Sequence, residues 1–258
     1  MAEINRRQAL SALGSVSLAS LLAACRTGPE TVTTAEVTTT SGATTTIRFQ
    51  TTGTTASGSL VDLFDQAATC SISPELTEGP FYFDVDSIRS DIREDREGAM
   101  LRLAVRVREA GACTPIANAV VDVWHCDATG LYSGFESASQ GGPGGSGGPS
   151  DDETYLRGAQ VTNSDGIVEF VTVYPGWYQG RTVHIHVKVH LDNSTVLTTQ
   201  FFFDEAINSE VYATEPYVAD TGRSVFNDDD GIFDDRLVVT TTPDGDGYLS
   251  LITLDVTA

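Results

Sequence analysis

The sequence predicts an all-β fold, an antiparallel β-sandwich with long loops, and three observations carry that prediction. Short runs such as Leu101 to Val107 and Thr182 to His190 alternate β-branched or apolar residues with polar ones. Clusters such as Asn163-Ser164-Asp165-Gly166 and Pro243-Asp244-Gly245-Asp246-Gly247 place turn residues between the runs. No long stretch carries the apolar period of an amphipathic helix. With 258 residues, 40% of them hydrophobic, there is enough chain for one good core plus some unpacked sequence.

In chain order, residues 1–24 read as a targeting segment, removed in the mature protein. Asn5-Arg6-Arg7-Gln8 supplies a twin arginine, and Ala9 to Ala24 is mostly apolar but short and rich in small residues for a membrane span. The run ends in Leu22-Ala23-Ala24-Cys25, which resembles the lipobox of bacterial lipoproteins, where cleavage precedes a cysteine that then carries lipid. Residues 25–59 read as a flexible tether, because the stretch from Thr31 to Gly58 is dominated by Thr with Ser, Gly and Ala and has little to bury. The domain then spans residues 60–258. Leu60 to Phe64 reads as a short helix, and Pro74 to Phe83 as an ordered loop, aromatic yet punctuated by prolines.

Strands are expected at Leu101 to Val107, Ala119 to Trp124, Ile167 to Thr172, Thr182 to His190, Val196 to Phe203, Leu237 to Thr242 and Tyr248 to Val256. Gln140 to Ser150, almost all Gly, Pro and Ser, reads as a mobile surface loop. Asn227-Asp228-Asp229-Asp230-Gly231 invites a calcium reading, but Phe226 stands where a calcium loop needs an acid, so it reads as an acidic turn.

The net charge of −21 argues against a nucleic-acid partner, whose phosphates would be repelled. Cys25, Cys70, Cys113 and Cys126 form no C-x-x-C pair, which argues against a zinc ribbon. An oxidising compartment permits a disulfide, and Cys113 with Cys126, flanking a turn and a strand, is the expected pair.

Chemistry concentrates in Tyr174-Pro175-Gly176-Trp177-Tyr178-Gln179-Gly180-Arg181-Thr182-Val183-His184-Ile185-His186. Residues two apart on a strand share a face, so His184 and His186 present both imidazoles to one side. The turn at Pro175-Gly176 and Gly180 brings Tyr178 and Arg181 back towards those rings. Upstream, Tyr132 follows the turn at Gly130, where its hydroxyl can be aimed inward, although a lone tyrosine in such a place commonly only packs.

Taken together, these residues resemble the intradiol ring-cleavage dioxygenases. One motif of that family is D-x-x-x-x-x-x-x-G-x-Y, here Asp122 to Gly130-Leu131-Tyr132; another is Y followed by R-x-x-H-x-H, here Tyr178 and Arg181-Thr182-Val183-His184-Ile185-His186. The likeness runs from about Pro74 to Val256 and is closest to compact, exported members. It implies a non-haem Fe(III) centre held by Tyr132, Tyr178, His184 and His186, within long active-site loops. Hard anionic phenolates favour ferric iron, whereas structural zinc sites favour Cys and His. It further implies that a small aromatic diol and O2 are the partners and a cis,cis-muconate the product. Tyr178 would leave the metal and accept a substrate proton, Arg181 would stabilise negative charge, and Gln200 would line the pocket. The loop from Thr77 to Tyr82 would form part of the pocket wall.

His125 is expected to be structural, His190 too far along its strand to join the site, and Tyr174 wrongly spaced to replace Tyr178. Two other readings stay open at this level: a non-catalytic, lipid-tethered binding module, and a zinc hydrolase built on His184 and His186, which would want a nearby carboxylate. The expected location is outside the cytoplasmic membrane on the cell envelope, with lipid at Cys25 as the only membrane contact.

Overall fold

The computed structural model describes residues 32–38, 44–50, 59–64 and 70–257, except residues 86, 140–147, 193 and 220–221. The targeting segment, Cys25 and most of the Gly-rich loop therefore lie outside the described residues. No helix among those described is long and apolar enough to cross a membrane.

Strands β1 (Val32–Thr38) and β2 (Thr44–Gln50) pair as an antiparallel hairpin. Both lie within the stretch expected to be a flexible tether. Threonine is β-branched, so the same composition that starves a core also favours extended backbone. The expected short helix, α1, spans Leu60–Phe64.

The domain continues with β3 (Met100–Glu109), β4 (Val120–Trp124), the single turn α2 (Glu136–Ser139), β5 (Arg157–Val161), β6 (Ile167–Val173), β7 (His184–Leu191), β8 (Ser194–Phe202), α3 (Glu205–Val211), β9 (Thr240–Asp244) and β10 (Gly247–Val256). The strands form two four-stranded sheets, ordered β6-β3-β10-β9 and β5-β4-β7-β8. Every pair within them is antiparallel except β3 with β10, which run parallel. The expectation of a purely antiparallel architecture is corrected there. The connection from β3 to β10 threads the whole second sheet, and such a long crossover permits parallel pairing where a hairpin does not.

Both sheets feed one hydrophobic core. Leu101, Leu103, Val105 and Val107 of β3 meet Val121 and Val123 of β4 and Ile185, Val187 and Val189 of β7. The alternate residues of β7, among them His184, His186 and Lys188, point the other way yet are also buried. Part of the cover is the loop from Cys70 to Phe83. Leu76 N–H donates to Thr198 O at 2.8 Å and Ser73 N–H to Asp255 O at 2.9 Å, fixing that loop against the domain.

Besides β1, β2 and the single turn α2, two elements escaped the sequence pattern. β5 contains Arg157 and Gly158, which hide its apolar character, and α3 is one short helix capped by Asp204, whose carboxylate accepts from Ala206 N–H. Leu237 to Thr242, expected as one strand, is a 3-10 turn at Asp235–Leu237 followed by β9.

The cysteine pairing is also corrected. Cys70 and Cys113 form the disulfide, and Cys126 is buried outside any disulfide, its thiol donating to Gly176 O at 3.3 Å. Cys113 precedes β4 and Cys126 follows it, so the extended strand lies between them although the sequence places them near one another.

Candidate metal centre

Strand β7 places the two histidines as its period requires, and Thr182, just before it, fixes the first of them. His184 Nδ1 lies 2.7 Å from the carbonyl oxygen of Thr182, which only accepts, so the ring proton sits on Nδ1 and Nε2 carries a lone pair. That Nε2 faces His186 Nε2 at 3.1 Å, Tyr178 Oη at 3.1 Å, Tyr132 Oη at 3.4 Å and Arg181 Nη1 at 3.5 Å. The four predicted ligand side chains are therefore brought to one place from three parts of the chain.

Each is held by its surroundings. Gly130, with φ of +86°, turns the chain after β4; a Cβ there would lie 2.3 Å from Trp177 O, which ties this turn to the Trp177-Tyr178 turn. Arg157 of β5 donates from Nε to Ser133 Oγ at 2.7 Å and from Nη2 to Ser133 O at 2.8 Å, steadying the residue next to Tyr132. Phe81 lies over Tyr132, ring centroids 4.8 Å apart, and meets Tyr178 edge-on at 6.1 Å. Trp124 stacks on His186.

Arg181 and Gln200 form a linked pair beside the ligands. Arg181 Nη2 donates to Gln200 Oε1 at 2.5 Å, and Gln200 Nε2 donates to Thr77 O at 2.8 Å. Gln200 pairs with His186 across β7 and β8. Arg181 Nε donates to Asp230 Oδ2 at 2.9 Å.

Without a cation the site is uncomfortable. Burial pushes the Tyr132 phenol well above its usual range, with Tyr178 adding to the effect. Burial pushes Tyr178 up to about 12, against the pull of Arg181. Burial and then Arg181 lower His184 to about 3, and burial and then His184 hold His186 well below the usual imidazole value. All four groups are thus neutral donors around one point, and a single lone pair on His184 cannot satisfy all its neighbours.

A first-row cation resolves this. Metal–nitrogen and metal–oxygen bonds of about 2.0–2.2 Å put adjacent donors roughly 3.0–3.5 Å apart, the spacings found around His184 Nε2. Its charge would also invert the local titration and ionise the phenols. The residues fit a metal. No group of three or more His, Cys, Asp or Glu placed to hold a metal ion occurs among the described residues, so the phenols are essential to this centre. That composition also disfavours a zinc-hydrolase site.

The residues set aside in the sequence lie elsewhere. His125 is buried, with Nδ1 2.7 Å from Cys126 O and Nε2 2.7 Å from Thr172 Oγ1. His190 Nδ1 meets Thr195 Oγ1 at 3.0 Å, and Tyr174 Oη donates to Asn208 Oδ1 at 2.8 Å within the core. Sequence reasoning missed Trp124 and Asp230, and placed Gly79 only within the loop expected to wall the pocket. For Asp230 the only signal was an acidic run with no assigned task.

Comparison with known proteins bears on the same residues. A family model described as "Dioxygenase" matches residues 73–220. A chlorocatechol 1,2-dioxygenase of Rhodococcus opacus is 30% identical over 132 residues, 44% of this chain and 47% of that protein. A catechol 1,2-dioxygenase of Acinetobacter lwoffii is 30% identical over 152 residues, 50% of this chain and 45% of that protein. The chain thus spans about half the length of the curated relatives it matches. A solved intradiol ring-cleavage dioxygenase from Tetranychus urticae superposes with a TM-score of 0.69 at 35% identity, covering 73% of this chain and 95% of that one. The dioxygenase domain of a carbohydrate-binding fusion protein from Streptomyces sp. SirexAA-E gives 0.53 at 28% identity, covering 73% and 99%. On this coverage and on the motif residues that its fold draws together, the chain belongs to the intradiol ring-cleavage dioxygenases.

Proposed function

We propose that this chain is a non-haem Fe(III) dioxygenase, built on a β-sandwich with long active-site loops, that opens a catechol-type ring between its two hydroxyl-bearing carbons. The product is a cis,cis-muconate. The observation that carries the reading is the convergence of two phenols and two imidazoles beside the Arg181–Gln200 pair. The likeness to catechol and chlorocatechol 1,2-dioxygenases supports it.

Tyr132, Tyr178, His184 and His186 would hold the iron, which when bound supplies the activation that lets O2 react with the ring. Tyr132 is fully buried and suits a permanent ligand, whereas Tyr178 is only partly buried and suits one that gives way. Its phenolate Oη accepts a proton from a substrate hydroxyl as it does so. Arg181, fixed by Gln200 and Asp230, presents Nη1 to the site and stabilises the negative charge that develops on the substrate. Phe81, packed on both phenol rings, keeps water from them.

The proposed setting is outside the cytoplasmic membrane, with lipid at Cys25. The Cys70–Cys113 disulfide supports an oxidising compartment. Replacing Cys25 by Ser should move the protein from membrane to soluble fractions.

The function is tested on iron-loaded protein. A purple-red colour from phenolate-to-iron charge transfer is expected, with O2 uptake on adding catechol and the ultraviolet absorbance of a muconate. Tyr178→Phe should keep iron and bind catechol slowly. Colourless iron-loaded protein, or catechol left intact under O2, would overturn the reading.

A further inference from the structure

The acidic turn at Asn227-Asp228-Asp229-Asp230-Gly231 holds a task that its composition conceals. Asp228 and Asp229 are exposed, as a solvated charge run should be, but Asn227 and Asp230 are buried. The Asp230 side chain is 2% exposed. A buried carboxylate is costly unless it is paired and hydrogen-bonded. Asp230 is both. Its Oδ2 accepts from Arg181 Nε and from Thr182 N–H, each at 2.9 Å, and its Oδ1 accepts from Ile232 N–H at 2.9 Å.

Asn227 acts on the same residue. Its Oδ1 accepts from Thr182 Oγ1 at 2.8 Å, while its Nδ2 donates to Phe203 O at 2.8 Å and its N–H donates to Glu205 Oε1 at 2.9 Å. Thr182 is therefore gripped at its amide by Asp230 and at its hydroxyl by Asn227, while its carbonyl receives the Nδ1 proton of His184. One turn thus steadies the residue between the arginine and the first histidine.

We propose that Asp230 is a positioning residue for Arg181, with Asn227 as its brace on Thr182. An arginine side chain carries much rotamer freedom, and one contact to Gln200 would leave the guanidinium free to swing about that bond. Asp230 at Nε and Gln200 at Nη2 occupy two of its three nitrogens. The third, Nη1, is left facing the ligand cluster. The carboxylate acts through Arg181 and touches no reacting atom. This inference rests on the proposed dioxygenase function for its kinetic consequence.

The test is a double-mutant cycle of wild type, Asp230→Asn, Arg181→Ala and the double variant, all iron-loaded, with catechol and O2. Asp230→Asn alone should lower kcat by about 10–10²-fold with KM changed by less than about threefold, the scale of a misplaced catalytic group. In the Arg181→Ala background the same change should cost less than about threefold, because the group it aims is gone. In the metal-free protein, nuclear magnetic resonance should find the Arg181 Nε–H protected from solvent exchange in wild type and unprotected in Asp230→Ala, which has no oxygen left to accept it. If Asp230→Asn does not fold, Asp230→Glu, which keeps the charge but displaces it by a methylene, enters the same cycle with the same expectation. Equal losses in both backgrounds, or an Nε–H that stays protected, would overturn the assignment of Asp230 while leaving the proposed function intact. A wild-type rate in Arg181→Ala itself would instead overturn the role given to Arg181 and the positioning inference with it.

Discussion

The indole of Trp124 lies flat on the imidazole of His186, with ring centroids 4.9 Å apart and planes 9° from parallel. The two are partners across β4 and β7. The contact matters because His186 lacks the anchor that His184 has: its Nδ1 is buried without a hydrogen-bond partner. Packing must therefore set its ring orientation. Trp124→Ala should lower stability by about 3–5 kcal/mol through the cavity it leaves. It should also weaken iron binding by about 10–10²-fold, the usual effect of losing support behind a ligand. Denaturant unfolding and competition with a chelator measure the two effects. Undiminished iron affinity would show that the strand alone orients His186.

Gly79 presses on the same ring from its edge. Its φ is +73°, and a Cβ would lie 3.0 Å from His186 Cε1. Gly79→Ala should cost about 1–2 kcal/mol for the left-handed backbone and should weaken iron binding as the ring is pushed. Gly111→Ala is the control. Its φ is +83° but nothing lies within 4 Å of the added carbon, so it should cost stability and leave iron affinity alone. Equal iron affinities in the two variants would count against the contact.

The disulfide between Cys70 and Cys113 closes a span of 43 residues that contains the loop supplying Thr77 and Gly79 to the site. On the chain-entropy estimate, replacing both cysteines by serine should lower stability by about 4 kcal/mol. Iron affinity should be unchanged, since Ser73 and Leu76 hold the loop independently. Melting temperature with and without the substitutions, alongside a metal titration, reads both parts. A melting temperature equal to wild type would refute the stabilising role.

His125 makes stability depend on pH. It is fully buried, and burial lowers its pKa to about 4 from the usual 6.5. The folded state therefore keeps it neutral while the unfolded chain takes up a proton below about pH 6.5. Protons bind the unfolded state preferentially, so stability falls as pH drops from 6.5 towards 4, by up to about 1.4 kcal/mol per pH unit. Metal-free His125→Gln, which lacks the titrating group, should show a shallower slope than metal-free wild type over that window. Parallel slopes would mean the imidazole titrates alike in both states.

How much of the site could be read in advance depended on the range of the interactions. His184 and His186 share a face because a strand has period two, and that is a property of adjacent residues. Tyr132 and Tyr178 could be named from motif spacing, each beside a turn marked by glycine. Asp230 could not. Three consecutive aspartates look alike along the chain, and which of them is buried depends on how residues 227–230 dock against Thr182, dozens of positions away.

By itself the sequence determined the strand-rich class, the core-facing alternation of β3 and β7, and the types of ligand available. These follow from backbone sterics and side-chain period, which act between neighbours. Only the tertiary structure decided that β10 runs parallel to β3, that Cys70 rather than Cys126 pairs with Cys113, and that Trp124, Gly79 and Asp230 support the centre. Each of these joins segments far apart in the chain, and such contacts form only where the packing of both sheets repays the entropy of closing the loop between them.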